Sequence, residues 1–67
     1  MSPTRAGKVA RELRHFGLRT VIDAGEDDGE VTVLVYVPAL GRNYRVCDEA
    51  DAHYVRAAHH HRHRAAA

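Results

Sequence analysis

Residues 31–37 read VTVLVYV, with valine at every odd position and Thr32, Leu34 and Tyr36 between them. Branching at Cβ suits a pleated strand and crowds the preceding turn of a helix, so this run predicts a strand. Alternate side chains of a strand point to opposite faces. The four valines therefore make one continuous apolar face, and the other face, with Leu34 and Tyr36, is itself half apolar. A strand apolar on both sides belongs in the middle of a sheet. A chain of 67 residues has little material with which to roof both sides.

One roof is legible in the flanking segments. Residues 2–18, SPTRAGKVARELRHFGL, place Ala6, Val9, Ala10, Leu13 and Phe16 at helical spacing, which predicts a first helix with one buried stripe. Ser2 before Pro3 marks its start, because the hydroxyl accepts an unpaired N–H and proline at the first helical position forfeits no hydrogen bond. Gly17 suits the left-handed residue that closes a helix, and Leu18 is placed to fold back onto Leu13. The opposite face carries Arg5, Lys8, Arg11, Glu12 and His15. A second helix is expected over residues 49–61, capped by Asp48, with Asp51 three residues on as a variant of the capping box. Its expected buried positions are Ala50, Tyr54, Ala57 and Ala58, with Val55 at the flank.

Between the helices lie LRTVIDA, a short strand, GEDDG, a turn, the central strand ended by Pro38, the turn ALGRN, and a third strand NYRVC. Consecutive strands with short connections pair as neighbours. The expected fold is thus α+β, a three-stranded antiparallel meander with two helices on one face, in the order α-β-β-β-α. Residues 1–58 are expected to form the single domain, and residues 59–67 a His/Arg/Ala-rich tail. In element order the chain is similar to double-stranded-RNA-binding domains and HicA-type mRNA interferases. The likeness ends there: DEAD, residues 48–51, stands where the former cluster lysines, and no His between His15 and His53 supplies the middle-strand catalytic residue of the latter. Element order carries no function across.

Composition narrows the setting. No apolar run approaches the length that spans a bilayer, no N-terminal stretch resembles a signal-peptide core, and Cys47 has no internal partner. A cytoplasmic protein without a membrane segment is expected. Nine Arg against one Lys, with abundant Ala, suggest a GC-rich bacterial or phage genome. The net charge of +1 conceals segregated blocks: +4 over residues 1–22, −5 over residues 23–30 and +2 over residues 31–67. Such a surface presents opposite fields at different places.

With the valines facing the helices, Thr32, Leu34 and Tyr36 face outward, joined by Arg19 and Val21 on one flank and Arg45 and Cys47 on the other. An apolar centre rimmed by Arg is the composition of an interaction surface. Two functions fit it. In the first, Arg19, Val21, Leu34, Tyr36 and Arg45 bind another protein or a second copy of the chain, which would also relieve the small core. In the second, Tyr36 stacks on a base of a nucleic acid while Arg5, Lys8, Arg11, Arg19 and Arg45 follow its phosphates. Protein association ranks first, because one aromatic is a thin platform and the acidic turn repels phosphate.

The remaining motifs have plain readings. His59 and His63 share a helical face at a metal-binding spacing but make half a site, so no functional metal is expected, only adventitious divalent metal at the His tract. Cys47 before a helix start would gain thiolate character from the dipole, but Asp48 and Glu49 oppose it, and no base or oxyanion loop accompanies it. GEDDGE lacks the length and rhythm of a calcium loop. The chain is expected to be a non-enzymatic binding module with no cofactor.

Overall fold

The computed structural model describes residues 1–25 and 30–66, and for residues 62–66 the helical backbone alone. Five elements follow one another: α1 (Pro3–His15), β1 (Thr20–Ala24), β2 (Val31–Val37), β3 (Arg42–Val46) and α2 (Glu49–Ala66). The sheet has the order β1-β2-β3, with both neighbouring pairs antiparallel. This is the α+β meander expected from the order of the elements and their short connections. The turn expected at GEDDG lies largely outside the described residues.

The ends of α1 carry the chemistry that their residues allow. Ser2 Oγ accepts the Arg5 N–H at 3.2 Å, and Pro3 occupies the first turn. At the other end Gly17 has φ +87°, and its N–H reaches the Arg14 carbonyl while that of Leu18 reaches Leu13. These two bonds define a Schellman motif, and buried Leu13 and Leu18 supply its hydrophobic contact. Phe16 departs from the expected stripe: it is the C-cap residue and is 48% exposed. One residue past the last helical turn, its side chain no longer follows the face that Leu13 buries.

Val31, Val33, Val35 and Val37 all face the helices and are buried, the last three completely. Around them close Ala6, Val9, Ala10 and Leu13 from α1, Leu18, Val46 from β3, and Ala52 and Val55 from α2. The buried side of α2 differs from the one expected. Ala50 and Ala57 are exposed, Ala58 is half-buried and Tyr54 is 47% exposed, whereas Val55 and Ala52 are fully buried. The cause is the way α2 lies beside α1. Arg5 pairs with Glu49 and Glu12 with Arg56, each at 2.9 Å, so the two helices run parallel at a constant offset along the sequence. That alignment turns Val55 down onto the sheet. Tyr54 instead leans over β3, its ring 5.3 Å from Tyr44. The helix also continues past residue 61 to Ala66, so the His/Arg-rich stretch carries helical backbone.

Candidate functional site

The open face of the sheet is assembled by strand register. Leu34 sits opposite Val21 on one side and Arg45 on the other, and Thr32 sits opposite Asp23. Tyr36 lies opposite Asn43, and its N–H donates to the Arg19 carbonyl at 3.0 Å. The face thus has three rows across the strands: Arg19, Tyr36 and Asn43; Val21, Leu34 and Arg45; Asp23 and Thr32. Arg19, Val21, Leu34, Tyr36 and Asn43 line a shallow, open depression. Val21 is 62% exposed, Tyr36 44%, and Leu34 is half-buried. No described element packs on this side.

The structure therefore brings together the five residues of the first reading, but not in equal states. Arg45 Nη1 donates to Asp23 Oδ2 at 2.9 Å and to Thr32 Oγ1 at 2.8 Å. Its guanidinium lies along the surface with its charge answered from its own sheet. Arg19 makes no side-chain hydrogen bond or ion pair among the described residues. Asp23 joins the face as well: alternation along β1 places it on the same side as Val21, a signal the sequence already carries.

The set for nucleic acid is divided. Arg5, Lys8 and Arg11 stand on the solvent side of α1, and α1 covers the opposite face of the sheet from Tyr36. Arg5 is further paired with Glu49, and Arg45 with Asp23. A single strand lying on Tyr36 meets Arg19 and not the cations of α1.

A second apolar spot lies where the exposed Phe16 ring meets α2, beside His53, Arg56, Ala57, His59 and His60. His59 Nε2 lies 3.0 Å from the Phe16 carbonyl, a bond to the end of α1, where carbonyls lack helical partners. The His63 side chain lies outside the described residues. Among the described residues no three His, Cys, Asp or Glu side chains gather where they could hold a metal ion. Cys47 is exposed just beyond β3, its N–H held by Asp51 Oδ2 at 2.9 Å. Among the described residues no helix is long and apolar enough to cross a membrane.

No protein-family model matches the chain, and neither a curated protein nor a solved structure gives a match.

Proposed function

We propose that this chain is a non-enzymatic cytoplasmic binding module that associates with a second copy of itself through the open face of its sheet. The observation that carries the reading is the exposure of Val21 and Tyr36, 62% and 44%, around Leu34 on a face that no described element covers. Apolar area of that kind, removed from water by a partner, contributes roughly 25 cal/mol per Å² before the costs of association. The single thiol, Cys47, suits a reducing compartment.

Light scattering on the purified chain, read against the mass of 7.5 kDa, tests it. The expected result is a dimer, converted to a folded monomer by Leu34→Asp with Tyr36→Ala. A monomer at high concentration, with steeply salt-dependent binding to labelled single-stranded DNA or RNA, would instead make the face a nucleic-acid platform and sink the proposal.

A further inference from the structure

Resting on that reading, the charge pattern of β1 sets how the two copies meet. We infer that the dimer is a face-to-face sheet sandwich whose two-fold axis runs across the strands, seating Arg19 of each copy against Asp23 of the other.

On the open face Arg19, just before β1, and then Val21 and Asp23 of β1 follow in turn, a cation, an apolar centre and an anion. Two sheets packed face to face with their strands near alignment admit two symmetric arrangements. An axis parallel to the strands lays β1 over the partner's β3. Arg19 then faces Asn43, Asp23 faces the Cys47 end, and Val21 lies over the Arg45 stem, whose guanidinium is turned to Thr32 and Asp23. None of these pairs joins opposite charges. An axis across the strands lays β1 over β1 in the reverse direction. Arg19 then faces Asp23 at both ends, Val21 meets Val21, Leu34 meets Leu34, and the Tyr36 phenol comes over the Thr32 hydroxyl.

The free valences fit the second arrangement. Arg19 has no side-chain partner among the described residues, and Asp23 takes Arg45 through Oδ2, while Oδ1 accepts no hydrogen bond among the described residues. Arg45 meets its own symmetry mate, but each guanidinium leans toward its own Asp23 and Thr32, at opposite ends of the interface, so the two charges diverge. Pairing of β1 edges in one continuous sheet would also oppose Arg19 and Asp23. It would leave Leu34 and Tyr36 bare, and one outward carbonyl of that edge, Thr20, already accepts from Arg14 at 3.4 Å.

Complementary charge reversal tests this geometry. Arg19→Asp alone places two carboxylates together at each end, and Asp23→Arg alone places two guanidiniums together. Each variant should dissociate, with self-affinity weakened by about a hundredfold for two like-charge contacts. Mixed in equal amounts, the two variants should form a heterodimer, because the two altered positions then face each other as an opposite pair at one end and an unaltered Arg19–Asp23 pair forms at the other. Circular dichroism checks that each variant is folded. If the unchanged chain is monomeric, the proposed function itself fails. If it dimerises but the single reversals do so equally well, or the mixture stays monomeric, the axis is wrong and self-association stands. If the mixture is rescued while Leu34→Asp still dimerises, the copies join through the β1 edges, and the sandwich is overturned.

Discussion

At the junction of β3 and α2 a single carboxylate holds three parts of the chain. Asp51 accepts the Cys47 N–H on Oδ2 at 2.9 Å and the Tyr44 hydroxyl on Oδ1 at 3.4 Å, while its own N–H donates to Asp48 Oδ1 at 2.9 Å. A capping box would send the third-position side chain back to the cap residue's N–H; here it reaches one residue further, to Cys47, and ties the last turn before the helix to the strand. Partial burial, and then the neighbouring Asp51 charge, push the Tyr44 phenol above its ordinary value of 10.0. The folded protein therefore keeps this proton to higher pH than the unfolded chain does. The stabilisation is complete below about pH 10 and is lost as pH rises through the folded value. Urea unfolding across an alkaline pH series should show a steeper loss of stability for the unchanged chain than for Tyr44→Phe. Identical slopes would mean that Asp51 and the ring burial do not act on this hydroxyl.

Among the elements, β2 and α1 could be read from sequence, and α2 could be read only in part. The valines of β2 have a single physical solution, since a shift by one residue would bury Thr32 and expose all four. The ends of α1 are written in residue types with special backbone or capping roles: Ser2, Pro3 and Gly17. In α2, alanine recurs at positions 50, 52, 57 and 58, so several stripes of similar weak hydrophobicity compete. What chooses between them is tertiary: the parallel seat beside α1, marked by Arg5–Glu49 and Glu12–Arg56. These exposed pairs contribute under about 1 kcal/mol each and act chiefly as markers of alignment. The choice has a measurable consequence. Val55→Ala should cost about 2 kcal/mol in chemical unfolding, as expected for a fully buried valine, whereas Ala57→Ser should stay within about 0.5 kcal/mol. Equal effects would restore the stripe through Ala57. The candidate site shows the same division. Alternation alone places Val21, Leu34 and Tyr36 together, but the Arg45–Asp23 pair spans β3 and β1 and needs the registers of both strand pairs to be visible.

Taken whole, the molecule has a core of valine, alanine and two leucines, and among the described residues no aromatic or polar residue is buried. The largest fully buried side chains are Leu13 and five valines. Such residues withdraw little apolar area each, and a domain of 67 residues is near the size at which one core is marginal. Meanwhile Val21, Leu34 and Tyr36 hold apolar surface outside that core, and a second copy would add it to the buried total. Folding and association then become linked equilibria. For a folded dimer in equilibrium with unfolded monomers, each tenfold rise in protein concentration adds about 1.4 kcal/mol per mole of dimer. The urea midpoint of the unchanged chain should therefore climb with concentration. That of Leu34→Asp should not, because the aspartate blocks the face yet leaves Val33 and Val35 buried beneath the helices. Were the midpoint of the unchanged chain independent of concentration, the valine core would suffice alone, and the open face would have to be explained by a partner other than itself.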